Sequence, residues 1–118
     1  MIEELVTRVF ATRNIVHLAH WKIRSGFHHE VLGELYGGLI DGIDSIVESY
    51  QGQFNTLIGN VSLKAPAKAE LVAHLREDLD WITENEEAIT KGNRALGNLV
   101  QALCNTYQSA LNKLVHYV

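Results

Sequence analysis

Cysteine and proline are nearly missing from this sequence: each occurs once, as Cys104 and Pro66. A single thiol excludes an internal disulfide and every zinc-ribbon spacing. Cys104 falls in a helical apolar pattern beside Leu103 and Tyr107, so it reads as a small buried hydrophobe. No apolar run approaches the roughly 18 residues of a membrane span. The opening Met1-Ile2-Glu3-Glu4 is not a signal peptide, so a cytoplasmic protein is expected. Neither end carries a run of lysine and arginine, and the net charge is −4, so no nucleic-acid partner is expected.

What the sequence does have is helical periodicity almost throughout. At 118 residues it suffices for one domain, residues 1–118, burying its core without cross-links. A first helix is expected over roughly 2–24, with Leu5, Val9, Val16, Ala19 and Ile23 on one stripe. Ser25-Gly26 should turn the chain, the glycine stopping the helix. A second helix should start near Phe27 and end between Gly52 and Gly59, on a stripe of Leu32, Leu35 or Tyr36, Leu39, Ile43, Ile46 and Tyr50. After a connection over 60–68, a third follows to about Thr90 on Val72, Leu75, Leu79, Ile82 and Ile89. Lys91-Gly92-Asn93 turns into a fourth, on Leu96, Val100, Leu103, Tyr107, Ala110, Leu114 and Val118. With no strand signal, the fold class is all-α, a four-helix bundle.

Four of the six histidines, His17, His20, His28 and His29, fall within thirteen residues, while His74 and His116 stand alone and read as structural. The turn between the first two helices is short, so those helices are antiparallel neighbours, and His20 and His29 face each other across the corner. A second row on the second helix holds His29, Gly33, Gly37, Asp41, Asp44 and Glu48, with no lysine or arginine to pair with its acids. Glycine inside a helix costs about 1 kcal/mol, so two of them four apart point to close approach by another helix. The plainer alternative is that the glycines are incidental and the acids solvated.

Asp44 and Glu48, at i and i+4, share a helix face suited to one cation. They lie fifteen and nineteen residues beyond His29, about 22–29 Å along a helix axis, too far for a site within one chain. Two copies packed antiparallel through this helix would bring the histidine corner of one against the acid pair of the other, twice per dimer. Two imidazoles and two carboxylates suit iron(II), with zinc or manganese as competitors. The competing account has the histidines capping the last carbonyls of the first helix or lying on the surface.

The set His20-Trp21, Phe27, His29-Glu30, Leu39-Ile40-Asp41, then Asp44 and Glu48, resembles the Dps-like mini-ferritins of the ferritin-like superfamily. The resemblance covers residues 14–50. It implies a ferritin-like bundle, an antiparallel pair, a crossover and a second antiparallel pair. It also implies a ferroxidase site between subunits, with His20 and His29 from one chain and Asp44 and Glu48 from the other. Iron(II) would be oxidised there by peroxide or dioxygen. The ferric product would be stored in a twelve-subunit shell, limiting oxidative damage. Trp21 would stand beside the site as an electron donor or, equally, as an interface filler.

Several departures bear on that expectation. The first turn is about three residues shorter than in typical relatives, which brings His28 into contention with His29 as ligand. Many relatives have aspartate where Gly33 stands, so a ligand for a second iron is missing unless Glu30 or Glu34 replaces it. The family's basic N-terminal arm is absent, and the segment before the third helix is about a dozen residues shorter. A crossover there is feasible only if the second helix ends near Gly52, since sixteen extended residues reach about 50 Å and nine only about 30 Å. No Glu is followed three residues later by His, so an in-bundle di-iron site is not expected. The rival expectation is a non-catalytic dimeric helical bundle that binds a protein partner, any metal being incidental.

Overall fold

The computed structural model describes residues 1–64 and 70–117, and its four helices are α1 (Ile2–Lys22), α2 (Gly26–Phe54), α3 (Leu71–Thr90) and α4 (Arg94–His116). There is no strand among the described residues. Each helix follows the stripe its sequence carries. Leu5, Val9 and Val16 of α1, Leu32, Leu35, Leu39, Ile43 and Ile46 of α2, Leu75, Ile82 and Ile89 of α3, and Leu96, Val100, Leu103 and Tyr107 of α4 are buried together. Each such aliphatic side chain contributes about 1.5–3 kcal/mol by leaving water. Cys104 is buried among them, and burial raises its thiol pKa. Val118 and residues 65–69, which include Pro66 and the end of the expected connection, lie outside the described residues.

The turn between α1 and α2 differs from expectation in one detail. Gly26 does not stop α1 but is the first residue of α2; the cap of α1 is Ile23, in extended backbone. Ser25 caps α2 instead, its hydroxyl accepting the His28 N–H at 3.3 Å. A serine hydroxyl satisfies a free helix N–H more directly than glycine can, so the pair serves the start of a helix. Asn55 and Lys91 end α2 and α3 in left-handed backbone, at φ 46° and 52°.

Helix directions follow from cross-bundle contacts. His20 meets His29 while Arg13 meets Tyr36, so α1 and α2 are antiparallel. Thr12 meets His74 while Arg8 meets Trp81, so α3 also runs antiparallel to α1, and hence parallel to α2. Asp78 meets Tyr107 and Glu86 meets Gln101, which sets α4 antiparallel to α3. The chain must therefore cross the length of the bundle between α2 and α3. Helix α2 ends at Phe54, leaving sixteen residues for that crossing, a reach of about 50 Å. Its described part lies along α1. The Gly59 N–H donates to Glu3 at 2.8 Å, the Thr7 hydroxyl donates to the Ser62 carbonyl at 2.7 Å, and Leu63 lines one groove with Phe10 and Asn14. The Gly59 bond, the largest influence on Glu3, lowers the pKa of its carboxyl.

Candidate metal-binding corner

The histidine corner is built by the short α1–α2 turn. His20, in the last turn of α1, and His29, in the first turn of α2, stack with ring centroids 3.7 Å apart and planes 20° from parallel. Each ring is locked by the other's backbone. His20 Nδ1–H donates to the His29 carbonyl at 2.6 Å, and His29 Nδ1–H donates to the His20 carbonyl at 2.7 Å. Because a carbonyl can only accept, Nδ1 carries the proton in both rings, and each neutral ring keeps its Nε2 lone pair. Metal-binding imidazoles are commonly fixed in this way, one nitrogen tied to a carbonyl and the other bonding the cation.

His28 points elsewhere. Its Nε2 lies 2.7 Å from the Tyr117 carbonyl at the far end of α4, so His29, not His28, partners His20. His17 stacks on Tyr36 at 4.2 Å, 11° from parallel, and abuts Trp21 at 4.6 Å. Desolvation, then the charge of Arg13 and of His20, lowers the His17 pKa and favours its neutral form. Trp21 is 66% exposed.

Gly33 takes a meaning that the sequence alone did not give it. An ideal Cβ there would stand 3.0 Å from Cε1 of His20 and 3.4 Å from its Nδ1. The close approach at Gly33 is therefore made by the chain's own histidine, whose ring would have to shift by a few tenths of an ångström to admit a Cβ. Gly37, by contrast, is exposed and has nothing within 4 Å of its Cβ position. Asp41, Asp44 and Glu48 continue the same face and are exposed, with Ile40 and Val47 half-buried beside them. Asp44 and Glu48 lie about 22–29 Å along α2 from His29. Among the described residues no three His, Cys, Asp or Glu side chains of one chain form a metal-holding group.

A second polar cluster lies inside the bundle, and the periodicity reading passed over it. Asp78, only 3% exposed, accepts hydrogen bonds from the Thr12 hydroxyl and, at 2.7 Å, from the Tyr107 phenol. Thr12 thereby spends its one proton, so its oxygen accepts the Nε2–H of His74 at 2.8 Å. The Arg8 guanidinium lies 3.9 Å from the other Asp78 oxygen and 4.5 Å from the centre of the Trp81 ring. Burial, then the charge of Asp78 and its hydrogen bond, holds the Tyr107 pKa well above its ordinary value. One signal was available: Thr12 fills the gap between Val9 and Val16, and Asp78 the gap between Leu75 and Ile82, each at core spacing. Polar residues on core stripes must find each other, since an unpaired buried polar group costs about 1–3 kcal/mol.

No helix among the described residues is long and apolar enough to cross a membrane. Comparison of the chain with family models, with curated proteins and with solved structures found no match.

Proposed function

We propose that this chain is a ferroxidase of the Dps-like kind, binding iron(II) as substrate between two copies related by a two-fold axis. The observation that carries the reading is the paired His20–His29 corner, whose reciprocal carbonyl bonds use Nδ1 of each ring and leave both Nε2 atoms without a hydrogen-bond partner among the described residues. The donors fit iron(II): neutral imidazoles from one copy, and Asp44 and Glu48, which have no cationic side chain paired to them among the described residues, from the other.

The register of such a dimer follows from the spacing. His29 opposite a partner's Asp44 and Glu48 places the axis midway along α2, at residue 37 or 38. Gly37, with open space at its Cβ position, is the residue a close helix crossing needs there. The two corners then form at opposite ends of the shared helix pair. A ferritin-like bundle needs a crossover between its second and third helices, and the parallel directions of α2 and α3 support the same reading. Storage of the ferric product in a twelve-subunit shell belongs to the proposal as its furthest extension.

In this site the chain's own groups have distinct roles. The carbonyls of His20 and His29 hold both rings in the Nδ1–H form, so each Nε2 keeps its lone pair for a cation. The carboxylates neutralise the charge that rises as iron(II) becomes iron(III). External peroxide or dioxygen takes the electron.

Mixing the anaerobic iron(II)-loaded protein with peroxide in a stopped-flow absorbance experiment tests the reading. The wild type should oxidise iron rapidly, and His20→Ala or Glu48→Ala should abolish that phase while leaving a folded dimer. Unchanged kinetics in both variants would refute the assignment. A second reading draws on the same corner. The His29 bond to the His20 carbonyl also satisfies a free carbonyl in the last turn of α1, as a purely structural cap would. On that reading the chain is a non-catalytic bundle that dimerises and binds a protein, and the wild type itself shows no rapid phase.

A further inference from the structure

Helix α4 carries a second stripe besides its buried one. Asn98, Gln101, Asn105, Gln108 and Asn112 recur at spacings of three and four, so they share one face, and all five are exposed. Ala102 and Ser109 flank them and are exposed too. From Ala95 to Asn112 no residue is charged, in a chain of which a fifth is charged. The outer face of α3 is ordinary by comparison, with Glu77, Asp80, Glu84 and Glu87 exposed along it. Asparagine is among the poorer helix formers, so three of them on a face free to carry lysine or glutamate cost helix stability.

Amides suit a contact with their own kind. Each carries an acceptor oxygen and two donor hydrogens, so an amide can pair with an identical amide, which two ammonium groups or two ionised carboxylates cannot do. Among the described residues only Gln101 of the five is engaged within the chain, its amide donating to Glu86 of α3. Two copies meeting through this stripe bury no charge and oppose no like charges, whereas meeting through α3 would set carboxylates against carboxylates. Asparagine between paired helices also fixes their register. Beside the stripe, the seam between α2 and α4 forms a groove of about 360 Å³ lined by Gly38, Ala102, Asn105, Thr106 and Ser109, which gives a second helix a surface to settle on.

We propose that the amide stripe of α4 is a contact between two copies of this chain, crossing antiparallel about a two-fold axis at Asn105. Asn98 and Asn112 stand seven residues to either side of Asn105. This register sets Asn105 against the partner's Asn105 and Asn98 against the partner's Asn112. Gln101 meets the partner's Ser109, and the partner's Gln108 falls over Ala102, whose methyl group leaves it room. The antiparallel sense opposes the two helix dipoles. The contact does not depend on the iron-oxidising reading and uses a different helix from the α2 crossing, so the two together join pairs into larger assemblies. Separated copies keep their amides hydrogen-bonded to water, so the contact forms reversibly as concentration rises.

Sedimentation equilibrium of the wild type from micromolar to millimolar concentration tests it. The average mass should rise twofold from its dilute value, whether that is one copy or an α2-linked pair. Asn105→Lys and Asn105→Glu each place like charges at the axis and should hold the dilute mass throughout, with helix content unchanged by circular dichroism. An equimolar mixture of the two variants should regain the doubling, which a damaged fold could not do. A wild-type mass that never doubles, a doubling that persists in both variants, or a mixture that fails to regain it overturns the contact. Gly37→Arg should keep the twofold rise with concentration; its loss in that variant would assign the rise to α2 and overturn the role of α4.

Discussion

The Cε1 atom of His20 lies 3.0 Å from where a Cβ on Gly33 would stand, so one residue's ring fills the other's missing side chain. Replacing Gly33 by alanine sets two effects against each other. Alanine gains about 1 kcal/mol of helix propensity, and its methyl group pushes the imidazole off its carbonyl bond. Gly33→Ala should therefore stabilise the protein by about 1 kcal/mol in a His20→Ala background and by distinctly less in the wild type. Denaturant unfolding of the four members of this cycle measures the coupling. Strict additivity would show that the ring does not occupy that space.

Gly37 invites the opposite experiment. Its Cβ position is open in the single chain, so Gly37→Arg leaves the helical fold intact by circular dichroism. If a second copy crosses there, the substitution converts a dimer to a monomer, read as a halved mass by light scattering. A variant with undiminished mass would place any dimer contact elsewhere.

The Thr12–Asp78–Tyr107 cluster joins α1, α3 and α4 through one buried carboxylate. Asp78→Ala strands two buried hydroxyls and the nearby Arg8, and should cost about 3–5 kcal/mol. Tyr107→Phe removes one bond and should cost about 1–2 kcal/mol. Urea unfolding distinguishes these values. An Asp78→Ala variant as stable as the wild type would mean the cluster contributes nothing net.

Glu3 fastens the crossover to α1 through the Gly59 N–H, and this bond lowers its pKa below the usual value of about 4.5. A lowered carboxylate pKa means that the folded state favours the ionised form. The resulting stability is present above about pH 4.5 and is lost as pH falls through the folded-state pKa. Glu3→Gln should therefore be less stable than the wild type near neutrality, with the difference shrinking in acid. Thermal unfolding at a series of pH values reads it, and a constant difference would rule out titration of Glu3 as its source.

The helical stripes were legible because apolar periodicity is local: Leu32, Leu35, Leu39, Ile43 and Ile46 announce the buried face of α2 with no knowledge of what covers it. The facing of His20 and His29 was legible too, because a turn this short leaves neighbouring helix ends no other arrangement. Gly26 misled, since a glycine after a helical run signals a stop as readily as a start, and only the Ser25 hydroxyl bond decides between them. Gly33 misled in another way, because the sequence shows that space is needed there without showing what fills it.

The sequence by itself determined four helices, their inward faces and a histidine corner at the first turn, all from residues within a few turns of one another. Tertiary structure decided that α3 runs parallel to α2, that Asp78 gathers Thr12 and Tyr107 around it, and that His20 lies over Gly33. Those outcomes depend on hydrogen bonds and close contacts between residues far apart in the chain, and a polar side chain carries no periodicity that names its partner.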